Sequence, residues 1–199
     1  MNNQEENNSR NLISNNEHEL NNFIDMDTLL ANLRNEDKRT LRTMKNMRWL
    51  YIVMIAIYTL LMVVNPDPEL QLHHRISGLC YVLSFAIFVL IFKKYYKEFS
   101  SIDYSLSSSE MFAKAAERYK LNLKRYLLVI PPLLLIDAGL TISEYYRWTS
   151  IDPLIRILIT QAVYLGVILI ACFIGYLIWR KRQKPLREGA LQMLKELNE

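Results

Sequence analysis

The chain of 199 residues has only two cysteines. It has no glycine-rich phosphate loop, no helix pairing histidine with glutamate, and no nucleophile set beside a base. Those gaps remove the usual starting points for phosphoryl transfer, metalloproteolysis and covalent catalysis, so neither enzyme activity nor a cofactor is expected. Cys80 and Cys172 fall inside long apolar segments. Their depths differ by roughly 20 Å at ~1.5 Å of helical rise per residue, too far for a disulfide within one chain. They read as small apolar side chains. His73-His74 with Asp67 and Glu69 is the nearest approach to a metal set, yet adjacent histidines in a short loop rarely hold one ion with good geometry; no metal is expected. No charged-then-apolar start marks a cleavable signal. Residues 1–33 hold six acids and one basic residue, Arg10, which argues against a mitochondrial presequence. The first apolar segment is therefore expected to act as an uncleaved anchor.

What the chain does have is four long apolar segments, 49–64, 76–92, 126–143 and 154–179. Each is near or above the ~17–20 residues that cross ~30 Å of hydrocarbon. The fold class expected is an all-α polytopic membrane protein with four transmembrane helices, packed as an antiparallel bundle with amphipathic cytoplasmic extensions. Of the 24 Lys and Arg residues, 21 lie before the first segment, in 93–125, or in the 180–199 tail. Only Arg75, Arg147 and Arg156 lie elsewhere. Basic residues in short loops stay on the cytoplasmic side. Both termini and 93–125 are thus expected in the cytoplasm, and the loops 65–75 and 144–153 outside. The net charge of +4 then needs no nucleic acid, because membrane lipid meets the cations flanking the spans. A bacterial inner membrane fits the compact layout.

Residues 1–22 include nine asparagines and read as a disordered leader. In the cytoplasmic segment 23–48, apolar spacing suggests one helix around 26–34, capped by Asp25 or Asp27, and a second from about 36 into the membrane. Ser107 and Glu110 fit a capping box opening a helix from about 108, whose Phe112, Ala115, Ala116 and Tyr119 share a face. Pro185 marks a break before a short terminal helix with Leu186, Ala190, Met193, Leu194 and Leu197 on one side. These faces most simply cover each other. Asp152 and Pro153 read as N-cap and first residue of the last span. Trp49, Tyr51, Tyr145, Tyr146, Trp148, Tyr176 and Trp179 read as interfacial belts.

The candidate site is an intramembrane polar set. Asp137 lies near the middle of the third span, where a carboxylate is costly and either functional or paired. Gln161 sits at comparable depth in the fourth span, with Thr141 and Thr160 close by and Arg156 one turn nearer the outside. The set reads either as a titrating or ion-coordinating site, or as a structural acid bonded to Gln161 or paired with Arg156. Pro131-Pro132 is expected to kink the third span. The small-xxx-small pairs Ala162/Gly166 and Ala171/Gly175 permit close helix packing, within the chain or between copies.

Two functions compete. The first is a regulatory or scaffolding membrane protein presenting a cytoplasmic helical layer to a soluble protein partner. Its layout looks like small bacterial inner-membrane proteins of unknown function. The second is a small transporter or channel, as a homo-oligomer, using Asp137. In size and span count the chain resembles the small multidrug transporters. Those carry their essential acid in the first span, whereas 49–64 here contains none.

Overall fold

The computed structural model describes residues 2–67, 70–102, 107–121, 127–147 and 149–197, with side chains from Met26 onward. Among these the protein is all helical, and it divides into two compact units.

The first unit draws on residues up to Lys38, on 103–120 and on 180–199. Its helices are the early part of α1 (Asn2–Tyr58), α3 (Ser108–Arg118) and α6 (Lys184–Glu196). Each presents one apolar stripe at helical spacing, and the stripes meet in one core. Phe112, Tyr119, Ala115 and Ala190 are fully enclosed, with Leu33, Met111 and Ala116 beside them. Met26, Leu29, Leu30, Leu186, Met193 and Leu194 pack around that centre. Small residues set the spacing: a Cβ on Gly189 would lie 3.2 Å from Leu29 Cδ1. Phe112 alone contributes about 1.5–3 kcal/mol by leaving water.

Several local expectations change here. α1 continues through residue 35, so the expected break between two helices is absent and Asp27 lies inside a helix instead of capping one. Tertiary packing of Leu29, Leu30 and Leu33 overrides the local capping signal. The leader 1–22 falls within the range of α1, and its side chains, like that of Asp25, lie outside the described residues. Ser107 is the N-cap of α3, but its side chain makes no capping bond. Glu110 turns instead to Lys114, 2.9 Å away and one turn on. Pro185 sits in the first turn of α6, where a missing N–H costs nothing, and the chain stays helical through a π-helical turn, Trp179–Gln183.

The second unit comprises 39–102 and 121–179. It holds the end of α1 with its π-helical turn Thr59–Val63, then α2 (Leu72–Ser100), α4 (Ile130–Tyr145) and α5 (Pro153–Ile178). Among the described residues three helices are long and apolar enough to cross a membrane: Met26–Val63, Leu72–Ser100 and Pro153–Glu196. The third expected span is not among them. α4 has 16 residues, about 24 Å at ~1.5 Å each, short of the ~30 Å hydrocarbon. Pro131 and Pro132 occupy its first turn, where proline is tolerated, and the helical run is interrupted just before them: Leu127 is helical, Leu128 and Val129 form a turn, and the helix resumes at Ile130. Residues 122–126 lie outside the described set.

Neighbouring helices of this unit run in opposite directions. Tyr58 meets Tyr81 while Tyr51 stacks on Phe88 and Phe92, which sets α1 against α2. Half-buried Tyr51 lies 4.9 Å from the Phe88 ring centroid. Gly139 faces Tyr81, and Ser84 Oγ donates to the Pro132 carbonyl at 2.8 Å, which sets α2 against α4. α5 packs on α4 alone among the extensive contacts of the described residues, and none of comparable extent closes α5 onto α1.

Candidate functional site

Asp137 lies in the second turn of α4. Its Oδ1 is buried and makes no hydrogen bond. Gln161, on α5, reaches past it: the side-chain amide donates to Thr141 Oγ1 at 3.0 Å. Thr141 is one turn beyond Asp137, so the expected Asp137–Gln161 bridge is replaced by a Thr141–Gln161 bridge. Thr160, half-buried next to Gln161, takes no part in that bond. Tyr164 completes the α4–α5 seam by donating from its hydroxyl to the Leu133 carbonyl at 2.8 Å. That carbonyl belongs to the first turn of α4, where backbone acceptors are otherwise used within the helix. Two interhelical bonds of this kind are worth roughly 0.6 kcal/mol each in a membrane setting.

Arg156 does not pair with Asp137. It turns the other way, and its Nη1 donates to the Arg147 carbonyl across the connection between α4 and α5. It is 8% exposed, and its Nε is buried without a partner. The connection itself is built as its sequence suggests: Asp152 caps α5, its carboxylate accepting from the Leu154 N–H at 2.7 Å, and Pro153 opens the helix.

The small residues of α5 pack against nothing. Gly166 and Gly175 have no atom within 4 Å of an added Cβ, and Ala162 and Ala171 are exposed. Close helix approach occurs instead at Gly78, where a Cβ would fall 2.6 Å from Met62 Cβ, and at Gly139, 2.7 Å from Tyr81 Cε1. Ser77 and Ser84, one heptad apart on α2, are fully buried on the same helix as Gly78. A run of small residues at that spacing within 76–92 was the signal that could have found this seam.

No cluster of three potential metal ligands exists among the described residues. The His73 and His74 rings lie 4.1 Å apart, and His73 stacks on Tyr146 at 4.5 Å. Glu69 lies outside the described residues. Cys80 and Cys172 are free thiols.

The first unit holds a polar group that sequence reasoning missed. Asp37, 2% exposed, accepts from Arg118 Nη1 and from the Tyr119 hydroxyl, both at 2.6 Å. The two donors are 81 and 82 residues away in sequence. Such a carboxylate is costly to bury unless paired, and here charge-assisted bonds satisfy both of its oxygens. Nothing at local spacing singles out Asp37 from its charged neighbours, so no sequence pattern could have named it.

Comparison with family models, curated proteins and solved structures finds no match to this chain.

Proposed function

We propose that the protein is a membrane-anchored regulatory or scaffolding protein whose first unit receives a soluble protein partner in the cytoplasm. The observation that carries this reading is a unit with its own apolar core and its own satisfied ion pair, assembled from three separate stretches of chain. Its rim is a mixture of both signs, with Lys114 facing Glu110 and Lys184 facing Glu188. A rim of mixed sign supports a protein partner over a nucleic acid. The basic residues gathered at 1–48, 93–125 and 180–199 support a cytoplasmic location for both termini. In this reading 49–64, 76–92, 126–143 and 154–179 form an antiparallel four-helix bundle in a bacterial inner membrane. The opposite side then carries turns alone, with no room for a receptor domain.

The orphaned Asp137 Oδ1 favours a second reading, transport through an oligomer. Against it, Gln161, Thr141 and Tyr164 are committed to helix–helix bonds.

The test is purification of the tagged full-length protein in mild detergent, followed by sizing and mass spectrometry of co-eluting proteins. The scaffold reading expects a stoichiometric soluble protein that is lost when residues 186–199 are deleted while membrane insertion persists. Recovery unaffected by that deletion, or a clean homo-oligomer, overturns it. In that case Asp137→Asn belongs in a liposome flux assay, where loss of flux establishes the transport reading.

A further inference from the structure

One end of the apolar unit carries a buried cation for which the described residues supply no anion. Arg156 lies in the first turn of α5, more than nine-tenths buried. Removing a guanidinium from water is expensive unless it is paired and its donors are filled. Of its five donors, one reaches the Arg147 carbonyl and Nε has no partner. The nearby carboxylates are engaged elsewhere. Glu144 accepts from the Arg147 side chain at 3.3 Å, and Asp152 accepts from the Leu154 N–H. Arg156 nevertheless lines a cavity of about 430 Å³ together with Tyr145, Tyr146, Arg147, Thr149, Ile151 and Pro153. That volume lies in the range of small-molecule sites, ~300–1,000 Å³.

A second hollow of about 340 Å³ shares Tyr146 with the first. It is bounded by Leu72, Ile76 and Ile142, and by His73, whose Nε2 is buried and likewise without a partner. A cation, two phenol rings and a threonine on one side of Tyr146, and an aliphatic slot with one imidazole on the other, suit a molecule with an anionic head and an apolar body. The cation is pre-oriented by the Arg147 carbonyl, so little rotamer entropy remains to be lost on binding.

We propose that this end of the protein is a binding site for an oxyanion, a phosphate or carboxylate headgroup held by Arg156, with the adjoining apolar slot taking the attached hydrocarbon. The inference is independent of the scaffold reading, since it uses no residue of the first unit. A free oxyanion would satisfy the same cation, so the experiment separates the two sources.

The full-length protein is reconstituted in nanodiscs of phosphatidylcholine with or without phosphatidylglycerol, and bound lipid is counted by native mass spectrometry. Thermal unfolding is followed in parallel with inorganic phosphate. Retention of phosphatidylglycerol over phosphatidylcholine, reduced about 10-fold or more in Arg156→Gln, is expected for a lipid headgroup; a charged hydrogen bond lost at ~1.5–3 kcal/mol gives that order. Stabilisation by phosphate without lipid preference, again lost in Arg156→Gln, identifies a soluble oxyanion. Lys114→Gln, in the first unit and facing Glu110, retains binding in either case. Should Arg156→Gln not fold, Ile151→Trp fills the cavity without touching the cation and weakens binding by the same order. Equal phosphatidylglycerol and phosphatidylcholine retention with no response to phosphate in the native protein overturns the proposal. So does binding that survives both Arg156→Gln and Ile151→Trp.

Discussion

The two units bury opposite kinds of side chain. In the first, the interior is Phe112, Tyr119, Leu33, Met111 and alanines, and the rim is charged. In the second, the closest contacts are made at Ser77, Gly78, Ser84, Pro132 and Gly139, while Leu158, Val163, Leu169 and Phe173 stand open, each more than 60% exposed. Phe85 and Phe88 are buried too, but as part of the aromatic stack with Tyr51. Where water is the solvent, large apolar groups are driven inside. Where lipid is the solvent that drive vanishes, and helices associate through small residues, close packing and polar bonds. The contrast agrees with the three helices long and apolar enough to cross a membrane, each of which lies mainly in the second unit.

The comparison breaks most severely at Asp37. Asp37→Ala leaves Arg118 buried without its partner, and breaking such a pair costs about 3–5 kcal/mol. The full-length protein should show early loss of the first unit in chemical unfolding, with proteolysis near 103–120. The paired change Asp37→Leu with Arg118→Met should recover much of that loss, since apolar replacements of both partners are often neutral.

Phe112→Ala against Phe173→Ala tests the inversion directly. The first removes a fully enclosed ring and is expected to cost about 3–5 kcal/mol. The second removes a ring that faces outward, and in lipid it should leave stability within about 0.5 kcal/mol. Equal losses in thermal unfolding would mean that α5 is covered by protein and not by lipid.

A smaller effect separates glycines that look alike in sequence. Gly78→Ala places a Cβ 2.6 Å from Met62 Cβ, and overpacking of this kind costs about 1–3 kcal/mol. Gly166→Ala meets open space and should be silent or slightly stabilising through helix propensity. Ser84→Ala deletes the bond to the Pro132 carbonyl at about 0.6 kcal/mol. Thermal denaturation of the three variants in one detergent ranks them.

What the sequence displayed was whatever repeats at short range. The apolar runs located the helices. The spacing of Phe112, Ala115, Ala116 and Tyr119, and of Leu186, Ala190 and Met193, marked two of the three faces of the first core. Asp152-Pro153 announced its own cap. Long-range choices were hidden. Gln161 had Asp137 and Thr141 at similar depth, and only the rotation of α5 against α4 selects Thr141. Ala162/Gly166 carries the familiar small-residue signature yet stands open, while Gly78 and Gly139, which carry no pair motif, make the close contacts. The Pro131-Pro132 pair, read as a kink in one long span, stands in the first turn of α4 directly after the turn at Leu128 and Val129. Asp37 finds its partners some 80 residues away, beyond any periodicity.

Arg75 carries a consequence for biogenesis. Its guanidinium straddles the end of the first hairpin, donating to the Val63 carbonyl at 3.2 Å and the Asn65 carbonyl at 3.0 Å. These are acceptors left free where α1 unwinds through its π-helical turn, and a helix C-terminus gathers partial negative charge. Of the other two basic residues outside the basic clusters, Arg147 faces Glu144, whereas Arg156 meets only a backbone carbonyl. A nascent α1–α2 hairpin that closes around Arg75 brings its own charge compensation, so the two segments are suited to enter a bilayer as a pair and not one after the other.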